Sequence, residues 1–212
     1  MLAKPKNICK VGEGFKILNC RNIHIVGKYV VLDEVQPKYF EQIVKWRNDP
    51  ELNRFLNQPF KLTIETQTKW YEENYINDMS QGLLVMVDKK TGIPFGTNGW
   101  TDYQQKERVC VHGRALIGEY EYRTSKQMVE GYILFQDYLY ESMQVDTIYI
   151  HVANENKQVI AFNKRWGYIP NEGVIKYPHE LFVNQMHQTE FYRTYSQYVK
   201  VRSKITKILD RM

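Results

Sequence analysis

Between residues 148 and 152 the chain sets apolar Ile148, Ile150 and Val152 against Tyr149 and His151, the period-two pattern of a half-buried strand. That strand ends near Ala153, where Asn154, Glu155 and Asn156 offer polar side chains to the free amides of a helix start. Val159, Ile160 and Phe162 then recur at helical spacing and predict a helix of about ten residues. Gly167 suits the left-handed turn that ends such a helix, and Tyr168-Ile169 leads back toward a strand.

The same pattern reading extends over the rest of the chain. Residues 1–22 are polar and punctuated by glycine, an arm carrying a short extra strand. From Ile23, NIHIVGKYVVLDEV reads as a hairpin turning at Gly27-Lys28. Pro37 opens a helix through Tyr39, Phe40, Ile43, Val44 and Trp46, and Asn48-Asp49-Pro50 breaks it before a short helical turn at Arg54-Phe55-Leu56. Thr63 starts a further helix that stops before Ser80-Gln81-Gly82. An antiparallel hairpin over 83–87 and 93–100 and a strand over 109–118 follow. A helix over 127–143 carries Met128, Tyr132, Phe135 and Leu139 in a stripe that reads as a core face. Segments 173–177, 180–183 and 188–195 read as strands, with a turn at Asn184-Gln185, and 196–212 as a basic terminal helix. This order implies an α/β (α+β) fold, a mixed and mostly antiparallel sheet with helices on both faces.

Composition narrows the class. The 212 residues suit a single domain, with 43% apolar content to build its core. A net charge of +5 is too small and scattered for a nucleic-acid surface but favours a phosphate-rich small ligand. Cys9, Cys20 and Cys110 have neither paired nor metal-ligand spacing, so free thiols in the cytoplasm and no metal are expected. No apolar run approaches the roughly 20 residues of a membrane span. Most of the 16 tyrosines and nine phenylalanines read as packing residues.

The run from Asn156 to Tyr168, N-x-x-x-I-x-F-N-K-R-W-G-Y, resembles the N-x-x-A-I-x-L-Y-E-K-L-G-F signature of the GNAT superfamily of N-acetyltransferases. The similarity extends over residues 27–195. It implies a sheet splayed between 109–118 and 148–153, with the pantetheine arm of an acyl-CoA cosubstrate lying in the gap. The cofactor contacts it implies are Leu116, Ile117, Arg123, Thr124, Ser125, Lys126, Gln127, Met128 and Asn156, the amides at the helix start holding a pyrophosphate. The chain departs from the family pattern at Lys126 and Met128, which replace glycines, so the side chains of Thr124, Ser125 and Lys126 are expected to assist.

Attack of an amine on a thioester needs a base, and neutral imidazole serves near pH 7. His151, on the strand facing the gap, and His112, on the strand opposite, are the candidates. A second departure is Asn163, standing where the family carries the tyrosine that protonates the leaving thiolate. An amide can donate a hydrogen bond but not a proton, and its smaller volume suits a longer or more polar acyl group.

The resemblance further implies an acceptor region after the first helix, with Arg47, Arg54, Phe55 and Trp100 as contacts. Its closest match is with transferases that acylate a nucleotide-linked amino sugar, such as a dTDP-3-amino-3,6-dideoxyhexose, with an acetyl or hydroxybutanoyl group for surface polysaccharide. The alternatives are an N-terminal acetyltransferase of a ribosomal-type protein and a non-catalytic CoA-binding module. A homodimer is the default for a small enzyme.

Overall fold

The computed structural model describes residues 22–56, 58, 60–172 and 187–212. The N-terminal arm up to residue 21, and the strands and turn expected over 173–185, lie outside the described residues.

Eight strands form one sheet among the described residues: β1 (His24–Val26), β2 (Val30–Glu34), β3 (Gly82–Asp88), β4 (Pro94–Gln104), β5 (Val109–Ile117), β6 (Thr147–Ala153), β7 (Ile169–Pro170) and β8 (Gln188–Thr194). Their spatial order is β1-β2-β3-β4-β5-β6-β8-β7, and every neighbouring pair is antiparallel except β5 and β6. The α-helices are α1 (Phe40–Asn48), α2 (Pro50–Asn53), α3 (Ile64–Trp70), α4 (Lys126–Asp137), α5 (Lys157–Arg165) and α6 (Tyr195–Arg211).

β3 shows why the sheet is covered on both sides. Its residues are apolar without alternation, yet Leu83 and Val85 pack with Ile43, Trp46 and Tyr75 from the α1/α3 side. Leu84 and Met86 belong instead to the cluster of Ile133, Phe135 and Ile148 on the α4 side. A strand buried on both faces has no polar face to show. The far half of the stripe read over 127–143 is core: Phe135 in α4 and Leu139 in the helical turn that follows have no exposed surface, and Phe135→Ala is expected to cost about 3–5 kcal/mol, while Met128 and Tyr132 are buried at the wall of a cleft.

Local chemistry sets the element ends. Asp49 accepts from the amides of Glu51 and Leu52, so with Pro50 in the first turn the break is itself the start of α2, ahead of the expected turn at Arg54. Thr63 and Thr66 form a reciprocal cap on α3, and Thr194 and Gln197 one on α6. Gly167 ends α5 at φ +85°, a conformation that side-chain-bearing residues rarely adopt. Glu130, buried in α4, accepts from the amides of Lys28, Tyr29 and Val30 and pins the β1–β2 turn to the helix.

Candidate active site

β5 and β6 pair only through Val109/Thr147, Cys110/Ile148 and Val111/Tyr149. Both run on unpaired to each other, and the divergence opens a cleft of about 1510 Å³ lined by 111–117 on one side and 150–153 on the other. Part of the cause lies across β5. The β4–β5 register shifts between Thr97 and Gly99, and Arg114 takes a left-handed φ of 52° beside that irregularity. Gly99 is required there, because a Cβ would come within 2.5 Å of the Gly82 carbonyl and 3.3 Å of Arg114 Cβ.

Two helix starts face the gap. Ser125 Oγ caps α4 by accepting from the Met128 amide, and Asn156 Oδ1 caps α5 by accepting from Val159. The general geometry of a helix start leaves the amides of Lys126 and Gln127 for an outside acceptor, with the partial positive charge of the helix end behind them. Leu116, Ile117, Arg123, Met128 and Asn156 line the cleft, so the residues present suit a phosphate-bearing cosubstrate whose arm lies between the strands.

Not every expected side chain is in place. The Lys126 ammonium sits over the Tyr29 ring, 4.8 Å from its centroid, and Gln127 Nε2 donates to Asp88 Oδ2. Neither of these residues, nor Thr124 or Ser125, is among those that line the cleft, so the structure does not bring the expected assisting side chains to it. Arg123 does line it, with its guanidinium stacked on Tyr120 at 3.9 Å.

His151 lines the cleft and is positioned from behind. Its Nε2 donates to Glu190 Oε2 at 3.0 Å, and Asn171 Nδ2 donates to the other carboxylate oxygen at 2.5 Å. With its Nε2–H bound to a carboxylate, a neutral imidazole carries its basic lone pair on Nδ1. His112 is a correction. It is 4% exposed, and Asn98 Oδ1 at 3.2 Å and Gln136 Nε2 at 3.3 Å occupy its two ring nitrogens. Burial, aided by the nearby Arg193 charge, pushes its pKa down to about 3, so it is a neutral polar bridge in the core and not a base.

Asn163 is buried against the cleft, and its Oδ1 has no partner among the described residues. Tyr132 and Phe162 line the cleft near it, their rings 5.1 Å apart and edge to face. In the other arm, Arg47 and Arg54 line the cleft with Phe55, Phe60 and Trp70. Trp100 is the second correction: it is 4% exposed and packs on Phe135 and Tyr138 in the core, away from any acceptor. Sequence reasoning missed Glu190, Gln67 and Arg114. A charged residue directly after Gly113 inside an apolar strand was the available signal for Arg114, because an isolated strand glycine marks a bulge or a close backbone approach. Glu190 had none, since its pairing with His151 is set by the β6–β8 register.

A sheet opened between two parallel strands, with capped helix starts at its mouth, has the form that the sequence resemblance implied. Residues 30–169 match the family model described as an acetyltransferase (GNAT) domain, and the chain belongs to that family: it is an acyl-CoA-dependent N-acyltransferase. Among solved structures it is similar to FdhC, a nucleotide-linked sugar GNAT, in its apo form (18% identity, 89% of this chain and 99% of that one covered, TM-score 0.69). It is also similar to spermidine N-acetyltransferase from Vibrio cholerae in complex with CoA and spermine (17%, 81% and 98%, TM-score 0.68). A third is a GCN5-related N-acetyltransferase from Brucella melitensis (16%, 89% and 86%, TM-score 0.73). Among curated proteins none matches in sequence. No helix among the described residues is long and apolar enough to cross a membrane.

Proposed function

We propose that the protein transfers an acetyl or 3-hydroxybutanoyl group from acyl-CoA to the amino group of a nucleotide-linked amino-dideoxy sugar, such as dTDP-3-amino-3,6-dideoxyhexose, for surface polysaccharide. The observation that carries this reading is the charge of the acceptor arm. Arg47, Arg54 and Arg114 line it together with Trp70, Phe55 and Phe60, and Glu51 is its single carboxylate among the described residues. Guanidinium groups fit a diphosphate and aromatic rings fit a base. The similar fold of a nucleotide-linked sugar GNAT supports the same acceptor class. A polyamine, the ligand in the Vibrio cholerae structure, would meet three like charges in this arm.

When bound, acyl-CoA supplies a thioester whose C–S bond breaks as the amine nitrogen forms the new C–N bond. His151 accepts the proton that the amine gives up, with Glu190 holding the ring in orientation. The amides at the start of α4 and the Arg123 guanidinium bind phosphate. Asn163 Oδ1 accepts a hydrogen bond, which fits the 3-hydroxyl of a hydroxybutanoyl group, and it gives no proton to the departing sulfur.

Thiol release with purified protein tests this, pairing acetyl-CoA and 3-hydroxybutanoyl-CoA with dTDP- and UDP-linked amino sugars, a ribosomal-protein N-terminal peptide and spermidine. Release that depends on an amino sugar supports the reading. Release with the peptide or spermidine alone, or none with any acceptor while CoA binds, overturns it.

A further inference from the structure

Among the described residues neither Arg114 nor Arg47 forms an ion pair with a carboxylate, although Asp78 and Asp102 lie near enough to act on Arg114 at a distance. Arg114 Nη2 donates to Gln81 Oε1 at 2.6 Å and its guanidinium lies over the Trp70 ring at 5.1 Å, while its Nη1 is shut from solvent with no partner among the described residues. Arg47 Nε donates to Gln58 Oε1 at 2.6 Å, again an amide. Gln67 is 3% exposed, and its Nε2 is likewise buried without a partner among the described residues. All three residues line the acceptor arm of the cleft.

The two unmet atoms in this arm, Arg114 Nη1 and Gln67 Nε2, are both donors. A buried donor left unsatisfied is costly, so two of them on residues that line the same arm mark a place completed by a ligand of opposite character. The two charges also oppose each other: burial first, and then Arg47, brings the Arg114 pKa down to about 10 against the pull of Tyr75, Asp78 and Asp102, and burial lowers that of Arg47. An anion relieves both. The positive φ at Arg114 places this charge on a strand that otherwise faces the donor gap, a local cost of the kind kept at working sites.

We propose that Arg114, Arg47 and Gln67 form a preformed phosphate subsite, separate from the one that holds the cosubstrate's pyrophosphate, which seats the diphosphate of the acceptor. This rests on the nucleotide-sugar reading and adds to it the residues that recognise the acceptor's anion. Arg114 offers a fixed fork, stacked on Trp70 and anchored by Gln81, so little side-chain freedom is lost on binding. Held there, a diphosphate leaves the sugar to extend along the cleft toward His151, which lines the same cavity.

The test is titration of dTDP and of inorganic pyrophosphate into the full chain saturated with CoA, so that neither probe can occupy the cosubstrate's own phosphate site. Arg114→Gln, Arg114→Lys, Arg47→Gln and Gln67→Leu are compared with the parent, each checked for an unchanged melting temperature and CoA affinity. Loss of about tenfold or more in dTDP and pyrophosphate affinity in both arginine-to-glutamine variants, with Arg114→Lys intermediate, supports the subsite. Equal affinity in parent and variants, or no binding to the parent, overturns it. Two mixed results separate this proposal from the reading beneath it. Amino-sugar turnover that the variants do not alter overturns the subsite and leaves the acceptor class standing. Pyrophosphate binding that needs both arginines, with no amino sugar acylated, supports the subsite and overturns the acceptor class.

Discussion

His151 on β6 stands directly across the ladder from Glu190 on β8, and its Nε2 donates to Glu190 Oε2 at 3.0 Å. The carboxylate is 1% exposed and is held on its other oxygen by Asn171. Held on both oxygens, it sets the tilt of the imidazole and which of its nitrogens carries the proton. His151→Ala is expected to lower kcat by about a hundredfold or more. Glu190→Gln, which keeps the shape, is expected to lose about tenfold in kcat with KM for both substrates unchanged. Steady-state kinetics on variants with confirmed melting temperatures check both.

Asn163 turns a buried acceptor atom without a partner among the described residues toward the cleft. Asn163→Tyr is expected to lower kcat/KM for 3-hydroxybutanoyl-CoA by about tenfold relative to acetyl-CoA, because the ring fills the space and removes Oδ1. Competition between the two thioesters measures this ratio, and an unchanged ratio would take Asn163 out of acyl selection.

His112 makes the fold sensitive to acid. Its pKa is about 3 in the folded protein against an ordinary 6.5, so between those values the unfolded chain binds a proton that the folded chain refuses. Stability is therefore full above pH 6.5 and falls as the pH drops through the window, by at most about 1.4 kcal/mol per pH unit from this one group. Denaturant unfolding from pH 7 to pH 4 should show the slope, and His112→Gln should flatten it.

Glu130 closes a turn with three charge-assisted bonds to backbone amides. Glu130→Gln is expected to cost about 2–3 kcal/mol, since the neutral amide answers fewer of those donors and one of its own hydrogens points into them. Chemical denaturation reads the loss.

The mixed sheet, the covering of both its faces, the stripe on α4 and the glycine stop of α5 could all be read from periodicity and caps, because each is written in residues close together in sequence. The splay between β5 and β6 came from a family resemblance, and the three-residue ladder gives it a physical form. What stayed hidden depends on long-range placement. Trp100 was misread because alternation does not say which face of a strand is core, and the β4 register shifts twice. His112 looked like a base because its partners, Asn98 and Gln136, lie 14 and 24 residues away in sequence. Arg114 had a local mark in the glycine before it, but its left-handed backbone goes with a shift in the β4–β5 register that only the paired strands reveal.

The sheet is joined across its middle by three residue pairs, so it behaves as two panels with a seam. Beyond Val111 and Tyr149 the outer edges stay paired with β4 and β8, but the backbone groups that β5 and β6 turn toward each other face a slot, which leaves those amides open to exchange with solvent deuterium. A donor lying in that slot stitches the panels together, and mass action then ties cosubstrate concentration to resistance against unfolding. The enzyme is sturdiest while loaded, and weakest in the interval between releasing one CoA and taking up the next.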